Sequence, residues 1–266
     1  MAKRIRLDDL LVSREFFASA DEAARACFAG EVTSNDVHIT APSQLVSPGI
    51  DIRVKRTSRF VSRGGDKLQG ALDSFGFSPE GMRCIDAGCS TGGFTDCLLQ
   101  SGAESVSAVD VGYGQFALKL RNDERVRLFE RTNIKHATCE QLGGPFDLLV
   151  ADLSFISLES LLATFRNLLG DSGFALLLVK PQFEADKDRV EDSGVVWKAS
   201  EHINVLERVL KALEREGFAL QGLTHSPLRG PAGNIEFFIL ARLGAESVSI
   251  DIANAVSRAH VEVGDH

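Results

Sequence analysis

The most restrictive feature of this 266-residue sequence is a short apolar stretch that leads into an aspartate and a run of small residues. Cys84 and Ile85 precede Asp86, and Ala-Gly-Cys-Ser-Thr-Gly-Gly then leads to Phe94 and a second apolar stretch. This order predicts a buried strand, a tight turn and a helix. Because glycine has no Cβ, such a turn lets a ligand approach the backbone at the start of the helix. The glycine spacing, G-x-x-x-G-G, differs from the G-x-G-x-x-G of dinucleotide-binding turns, which argues against a nicotinamide cofactor. The alternative is a turn that only connects the strand to the helix.

Strand-like and helix-like segments alternate after this turn, which predicts an α/β fold with a doubly wound, mostly parallel sheet. The later strands are expected at Val106–Val109, Arg127–Glu130, Phe146–Ala151, Phe174–Val179, Ala219–Thr224 and Ile235–Ala241. The longest helices are expected at Lys67–Phe75, Ser160–Leu169 and His202–Glu216. No helix separates the last two strands, so the final strand is expected to be antiparallel.

Charged residues directly follow several predicted strands, at Asp86, Asp110, Asp152 and Lys180. Ligands of open α/β sheets bind beyond the carboxyl ends of the strands. Asp110 is therefore a candidate to accept hydrogen bonds from the ribose hydroxyls of a cofactor, although capping a turn is the commoner role for such an aspartate. Asn133 follows the next strand and can both donate and accept at an adenine edge, or it is a plain loop residue.

Lys180 is unusual because it directly follows the apolar run Phe174–Val179. An unpaired ammonium group is costly to bury, so Lys180 needs a carboxylate nearby, and Asp152 is the natural candidate. The topology can bring Lys67 and Glu236 to the same place. Surface salt bridges are the alternative for each residue taken singly, but the agreement of their positions favours one charged cluster.

An excess of positive over negative charge is confined to the front of the chain. Residues 1–67 carry 11 Lys and Arg residues against 9 Asp and Glu, whereas the whole chain has a net charge of −8. Clustered cations suit the phosphates of RNA, although a solvated charged linker has the same composition. The candidate RNA-binding residues are Arg4, Arg6, Arg53, Lys55, Arg56, Arg59 and Arg63.

No segment has the composition of a membrane span or a secretory signal. The longest apolar run, Phe174–Val179, is far too short to cross a bilayer, and the first residues lack an apolar core. The five cysteines are odd in number and form no C-x-x-C pair, which argues against a disulfide framework and against a zinc site. We therefore expect a cytoplasmic, reduced protein with no metal and no membrane partner.

The first sixty residues predict a small α+β unit. Residues 4–17 have helical spacing, Ser19 is placed to cap a second helix, and alternating stretches at Val32–Ile39 and Ile50–Val54 predict a hairpin. With the motifs R-L-D-x-L-L and G-x-V, this arrangement resembles an S4 RNA-binding domain.

Three segments are expected along the chain. Residues 1–62 form the S4-like domain, residues 63–244 form the α/β domain, and residues 245–266 form a tail with one short helix. The polar, glycine-containing stretch at 57–67 is the joint between the two domains.

Seven motifs in a fixed order carry a more specific resemblance. They read S-R-G-x-x-K-L, D-A-G-x-S-T-G-G-F, V-D-V-G-Y-G-Q, E-R-T-N, A-D-L-S-F-I-S, V-K-P-Q-F-E and G-N-I-E-F-F. Together with the S4-like front, they resemble the haemolysin A, or TlyA-type, family of rRNA 2′-O-methyltransferases, which have an FtsJ-like catalytic domain. The resemblance implies a seven-stranded Rossmann-like fold and S-adenosylmethionine as cofactor. It further implies ribosomal RNA or ribosomal subunits as partners, with cytidine as the modified nucleoside.

The same resemblance implies the site residues. The Lys-Asp-Lys-Glu tetrad of FtsJ-like enzymes falls on Lys67, Asp152, Lys180 and Glu236. The implied cofactor-binding residues are Asp86, Gly88, Ser90, Thr91, Gly92, Gly93, Phe94, Asp110, Thr132, Asn133 and Asp152.

The implied reaction is transfer of a methyl group to a ribose 2′-hydroxyl, which is a poor nucleophile until its proton is removed. Lys180 can take that proton in its neutral form, which the nearby Lys67 and partial burial favour. Asp152 would position Lys180, and Glu236 would orient the lysines or the ribose. The sequence does not assign which lysine is neutral. It also leaves two other functions open, a non-catalytic S4-type RNA-binding protein and a membrane-active haemolysin.

Overall fold

The computed structural model describes residues 4–14, 16–17, 19–35, 37–54, 59–186, 189–191 and 193–264. These residues form two compact units, one before Arg59 and one from Arg59 onward.

The described residues of the first unit form two helices and five very short strands. They are β1 (Ile5–Arg6), α1 (Leu7–Ser13), α2 (Ala20–Phe28), β2 (Val32–Ser34), β3 (Val37–His38), β4 (Leu45–Val46) and β5 (Arg53–Val54). Strands β1 and β4 pair antiparallel, and β2 pairs antiparallel with both β3 and β5. Leu7, Leu11 and Cys27 are fully buried between the helices and the strands. A small α+β unit was predicted here, and its assignment as an S4 domain stays a prediction.

Two details of this unit connect the sequence to the structure. The Ser19 hydroxyl accepts a hydrogen bond from the Glu22 backbone N–H, so this serine caps α2 as predicted. The helical spacing at residues 4–17 gives a shorter helix, because Ile5 and Arg6 pair with Val46 and Leu45 in a sheet. Side-chain periodicity alone does not show this backbone pairing.

The second unit is built on a seven-stranded sheet. Its strands are β6 (Arg83–Ala87), β7 (Ser105–Val109), β8 (Val126–Phe129), β9 (Phe146–Ala151), β10 (Leu169–Val179), β11 (Phe218–His225) and β12 (Phe237–Leu243). They lie in the order β11-β12-β10-β9-β6-β7-β8. Strands β6 to β10 pair in parallel, and β12 is antiparallel to both of its neighbours. This is the predicted Rossmann-like methyltransferase arrangement, including the antiparallel final strand.

Helices cover both faces of this sheet. They are α3 (Arg63–Phe75), α4 (Gly93–Gln100), α5 (Leu118–Arg121), α6 (Cys139–Leu142), α7 (Leu162–Leu168), α8 (Pro181–Glu184), α9 (Ala199–Arg215) and α10 (Ile252–Glu262). Leu177 and Val179 of β10 join the core that includes α7, α9 and α10, whereas Leu176 and Leu178 join the core that includes α3 and α4. Successive strand residues point to opposite faces, so the continuous apolar run of β10 is the signature of a strand buried on both sides.

Strand β10 starts five residues earlier than the sequence predicted. Leu169 pairs with Phe146, and an irregularity then separates this pair from the regular register that begins at Phe174. The expected helix before it is correspondingly short: a 3-10 turn at Leu158–Leu161 leads into α7. Among the described residues, no helix is long and apolar enough to cross a membrane.

Candidate active site

The strand, turn and helix predicted around Asp86 form one edge of the site. β6 ends at Ala87, Gly88 has a φ of +86°, and Gly92, with a φ of +96°, precedes α4. A Cβ on Gly88 would lie 2.6 Å from the backbone oxygen of Asp152, so the turn packs directly against the end of β9. Positive φ and close approach together explain why glycine is needed there.

Asp86 is fully buried beneath this turn. Its Oδ2 accepts hydrogen bonds from the Thr95 backbone N–H at 2.9 Å and from the Thr95 hydroxyl at 2.7 Å. Its Oδ1 has no hydrogen-bond partner among the described residues. Burial raises the pKa of Asp86 to about 7, and the Thr95 hydrogen bonds only partly oppose this. Asp86 therefore has a buried carboxyl oxygen with unused hydrogen-bonding capacity.

Asp110 at the end of β7 holds the neighbouring loops together. Its Oδ2 accepts from the Ser90 N–H at 2.8 Å, and its Oδ1 accepts from the Gly112 N–H at 2.6 Å. A small cleft beside it is also lined by Tyr113 and Phe116. Each carboxylate oxygen has a second lone pair, so these bonds are compatible with the predicted contact to ribose hydroxyls.

Thr132 and Asn133 follow β8 in the same region. The Thr132 N–H donates to the Asp110 carbonyl at 2.9 Å. The Asn133 side-chain oxygen accepts from the Lys135 N–H at 3.0 Å and so caps the 3-10 turn at Ile134–His136. The cap occupies the amide oxygen of Asn133 and leaves its amino group for the predicted adenine contact, which stays a prediction.

The four tetrad residues form two ion pairs. Lys67 Nζ, from α3, lies 2.5 Å from Glu236 Oε2, and both side chains are buried. Lys180 Nζ, at the end of β10, lies 2.5 Å from Asp152 Oδ1 and donates to the Ser154 hydroxyl at 3.1 Å. The structure thus pairs Lys180 with the carboxylate that the sequence indicated.

The two ion pairs act on one another electrostatically. Burial raises the pKa of Glu236, and the Lys67 ammonium opposes that shift most strongly. Lys180 also lowers the pKa of Glu236 and Asp152 raises it. The four groups are therefore close enough to act as one charged cluster, as predicted.

The glycine turn and one residue of each ion pair, Lys67 and Asp152, line the same cavity, whose volume is about 480 Å³. It is lined by Ser62, Arg63, Gly64, Lys67, Gly88, Cys89, Ser90, Thr91, Gly93, Phe94, Asp152, Arg229 and Pro231. That volume is in the range of small-molecule sites. Among the described residues, no group of three or more His, Cys, Asp or Glu side chains is arranged to hold a metal ion.

Two aromatic residues beside the cluster were missed by the sequence reasoning. The Phe155 side chain is 90% exposed, its φ is +64°, and its ring centroid lies 4.9 Å from that of Phe183. Lys180 Nζ lies 6.0 Å from the Phe183 ring. Each phenylalanine follows a tetrad residue by three positions, Phe155 after Asp152 and Phe183 after Lys180. That spacing is the signal that could have identified them.

The structure describes five of the seven candidate RNA-binding residues. Arg63 lines the cavity, and its Nη2 donates to the Arg229 carbonyl at 3.3 Å. Arg6 is half-exposed and lies 2.6 Å from Asp8, Arg59 stacks on Phe60, and the remaining two described candidates, Arg4 and Arg53, are exposed. Lys55 and Arg56 lie outside the described residues.

The chain is similar to several known proteins. Residues 60–243 match the family model described as FtsJ-like methyltransferase. The chain is 43% identical to the Mycobacterium tuberculosis 16S/23S rRNA (cytidine-2′-O)-methyltransferase TlyA, over 91% of each protein. It is 36% identical to Hemolysin A of Brachyspira hyodysenteriae, over 88% of this chain and 98% of that protein. A solved structure of a Streptococcus thermophilus protein provisionally named a hemolysin has a TM-score of 0.75 and 38% identity, over 98% of both chains.

Proposed function

The chain belongs to the FtsJ-like methyltransferase family, and from this premise we propose that it methylates the ribose 2′-hydroxyl of a cytidine in ribosomal RNA. The nucleoside and the RNA are those in the name of the Mycobacterium tuberculosis relative. Ribosomal RNA or ribosomal subunits are therefore the partners that we propose, and the cytoplasm is the proposed location. One observation carries the proposal: one residue of each lysine–carboxylate pair, Lys67 and Asp152, lines the cavity that the glycine turn forms.

The cofactor of such an enzyme is S-adenosylmethionine, which supplies an electrophilic methyl group. The residues of this chain fit it in two respects. A Cβ at Gly88 would collide with the backbone oxygen of Asp152, and Oδ1 of the buried Asp86 has no hydrogen-bond partner among the described residues. We propose that the turn from Gly88 to Phe94 holds the cofactor together with Asp86 and Asp110, and that Thr132 and Asn133 contact its adenosine.

The roles of the two tetrad lysines follow from the carboxylate that would stand unpaired if each lysine lost its proton. If Lys67 lost its proton, the fully buried Glu236 carboxylate would lose the cation that pairs with it, which is strongly unfavourable. The Asp152 side chain is 24% exposed, so water can reach this carboxylate when Lys180 is neutral, although its Oδ1, the atom beside Lys180 Nζ, is itself buried. We therefore assign Lys180 as the group that accepts the proton of the 2′-hydroxyl. The hydroxyl oxygen would then bond to the methyl carbon as the bond from that carbon to the sulfonium sulfur breaks and a neutral thioether leaves. Asp152 positions Lys180, and the Lys67–Glu236 pair orients the ribose.

The exposed aromatic pair supports a nucleic acid as the acceptor. Phe155 holds a left-handed backbone conformation that is unfavourable for phenylalanine, and its ring is almost wholly exposed. Strain of this kind persists where function requires it, and single-stranded or flipped bases stack on exposed aromatic rings. We propose that Phe155 stacks on a base of the RNA while its ribose faces Lys180.

The proposal is tested by methyl transfer in vitro. The purified protein is incubated with methyl-labelled S-adenosylmethionine and with protein-free rRNA, 30S subunits or 50S subunits in separate reactions. Digestion of the product to nucleosides is expected to release labelled 2′-O-methylcytidine. Label on a base, or no incorporation with any of the three acceptors, would refute the proposed function.

A further inference from the structure

Glu184, the last residue of α8, is a buried acid that the proposed reaction does not use, and it is only 5% exposed. Its Oε2 accepts a hydrogen bond from the Ser157 hydroxyl at 2.7 Å, and its Oε1 accepts from the Leu158 N–H at 2.7 Å. Burial raises the pKa of Glu184, and these two hydrogen bonds oppose the shift because they stabilise the charged form. Each carboxyl oxygen therefore faces a donor, and both donors belong to one neighbouring segment.

That segment is the loop that follows β9, residues 152–158, called here the 152–158 loop. It starts at Asp152, whose N–H donates to the Ala87 carbonyl at 3.2 Å. It ends at Leu158, where the 3-10 turn begins and where Leu158 and Leu161 join the core. The loop is thus fixed to the end of β6 at its start and to α8 through Glu184 at its end.

The 152–158 loop and the segment from Lys180 to Glu184 meet at two further points. Lys180 Nζ lies 2.5 Å from Asp152 Oδ1, and the ring centroids of Phe155 and Phe183 lie 4.9 Å apart. These contacts and the bonds to Glu184 follow the same order along both segments, so the two segments lie side by side. Because α8 begins directly after Lys180, Glu184 connects the loop that carries one tetrad residue to the helix that follows another.

The backbone of Phe155, in the middle of the loop, needs such a connection. Its φ is +64°, a left-handed conformation that persists in a phenylalanine only where the surroundings hold it. Its side chain is 90% exposed, so apart from the contact with Phe183 the ring offers little packing to hold that conformation. The constraint therefore comes from the residues that flank Phe155, and on the C-terminal side they are the two that donate to Glu184.

We propose that Glu184 is a positioning residue: its carboxylate fixes the 152–158 loop to α8 and thereby keeps Asp152 against Lys180 and Phe155 in its left-handed conformation. The inference rests on the proposed function, because it takes Lys180 as the proton acceptor and Phe155 as an RNA contact. It deepens that function by assigning a task to a buried group that lies outside the lining of the cavity.

The first test compares two replacements of similar size in labelled methyl transfer to rRNA. Glu184→Leu removes both acceptors and is expected to lower kcat about 10- to 100-fold, because small displacements of reacting groups have effects of this size. Its KM for S-adenosylmethionine is expected to stay at the wild-type value. In Glu184→Gln, the amide oxygen can accept from Leu158 and the Ser157 hydroxyl can turn to accept from the amino group. This variant is expected to keep kcat within about threefold of the wild type.

A matched pair of serine changes separates this contact from the general loss of a buried hydrogen bond. Ser157→Ala removes one of the two bonds to Glu184 and is expected to lower kcat about 3- to 10-fold. Ser107→Ala removes a buried bond of 2.9 Å to the Leu142 carbonyl and is expected to keep wild-type kcat. Ser157→Ala combined with Glu184→Leu is expected to lower kcat no further than Glu184→Leu alone, because both changes remove the same contact.

The second test measures the contact without the reaction. Amide hydrogen exchange of the ligand-free protein is followed residue by residue in the wild type and in Glu184→Leu. Exchange at residues 153–158 is expected to become about tenfold faster or more in Glu184→Leu, because the loop opens locally, whereas exchange in β7 is expected to stay unchanged. Thermal unfolding of each variant identifies any loss of activity that comes from misfolding rather than from the loop.

The outcomes separate this inference from the proposed function. If the wild type methylates rRNA and a folded Glu184→Leu keeps wild-type kcat or wild-type exchange at residues 153–158, the inference alone is wrong. If Glu184→Gln loses as much activity as Glu184→Leu, the hydrogen bonds do not carry the role and the inference is overturned. If Glu184→Leu does not fold, Ser157→Ala decides, and wild-type kcat in that variant overturns the inference. If the wild type methylates no rRNA, the proposed function fails, whereas faster exchange confined to residues 153–158 would still support the role of Glu184 in fixing the loop.

Discussion

Lys180 and Lys67 are the two lysines of the tetrad, and their partner carboxylates differ in exposure. Lys67 is paired with a carboxylate that has no exposure, whereas the partner of Lys180 is partly exposed. This difference makes Lys180 the residue whose deprotonation costs less. The sequence motifs identify all four tetrad residues, but burial of the partner carboxylate depends on how β12 is covered, and no local pattern reports it.

Replacing Lys180 tests its assignment as the proton acceptor. Lys180→Ala is expected to lower kcat by about 10²- to 10⁴-fold, the usual contribution of proton transfer, with nearly unchanged affinity for rRNA. Lys211→Ala, at an exposed lysine of α9, serves as the control and is expected to keep wild-type kcat. Rates come from labelled methyl transfer and affinities from filter binding. An equal loss of rate and of rRNA affinity in Lys180→Ala would identify Lys180 as a phosphate contact.

The raised pKa of Asp86 predicts a pH dependence of cofactor binding. Without ligand, the folded chain keeps this carboxyl protonated up to about pH 7, whereas the unfolded chain loses the proton near pH 3.9. The contribution of Asp86 to stability therefore falls as the pH rises from about 4 to 7. A ligand with positive charge favours the carboxylate, so its affinity is expected to rise with pH up to about 7.

Calorimetric titration with S-adenosylmethionine in two buffers of different ionisation enthalpy measures this effect. Release of close to one proton per cofactor is expected at about pH 6 and almost none at about pH 8. Asp86→Asn is expected to bind more weakly and to release no proton at either pH. Equal proton release by the wild type at both pH values would contradict the assignment.

Replacing Phe155 tests whether its exposed ring contacts RNA. Phe155→Leu is expected to weaken rRNA binding by at least about fivefold, since stacking on one base contributes about 1–3 kcal/mol, whereas Phe155→Tyr retains the ring and the affinity. Neither change is expected to alter the urea midpoint much, because the ring is 90% exposed. If Leu and Tyr bind rRNA equally, the ring is not a stacking platform.

Among the elements of the fold, the turn between β6 and α4 packs closely against the backbone of Asp152, the residue that follows β9. The strand, turn and helix were predictable from Asp86 and the glycine spacing. The periodicity of apolar residues and the composition of a turn are both properties of the local sequence. The close contact of Gly88 with the Asp152 backbone was not predictable, because it joins residues 64 positions apart. The early start of β10 at Leu169 has the same origin, since it depends on pairing with Phe146.

Two glycine substitutions distinguish the effect of this close packing from the effect of a left-handed backbone conformation alone. Gly88→Ala places a Cβ 2.6 Å from the Asp152 oxygen, whereas Gly76→Ala, at a φ of +58°, meets no atom within 4 Å. Gly76→Ala is expected to cost about 1–2 kcal/mol of unfolding free energy and to keep cofactor affinity. Gly88→Ala is expected to lose more stability and also its S-adenosylmethionine binding. Urea denaturation and cofactor titration measure both effects, and wild-type cofactor affinity in Gly88→Ala would contradict the proposed cradle.

Across the whole molecule, the excess of cations and the tetrad residues lie in different parts of the chain. Residues 1–67 carry more cations than carboxylates although the complete chain has a net charge of −8, and the tetrad is assembled from residues 67 to 236. The order of the motifs predicted a methyltransferase through the family resemblance, and the basic front of the chain favoured RNA as its partner. The tail illustrates what composition leaves out, because its contacts with β11 and Arg229 come only from the folded arrangement.

The most direct test of the central claim is a map of ribose methylation on 16S and 23S rRNA from cells that lack this protein. The comparison strains carry the wild type or Lys180→Ala. We predict that at least one 2′-O-methylcytidine disappears without the protein, returns with the wild type, and stays absent with Lys180→Ala. An identical map in all strains, or restoration of the methyl group by Lys180→Ala, would contradict the account.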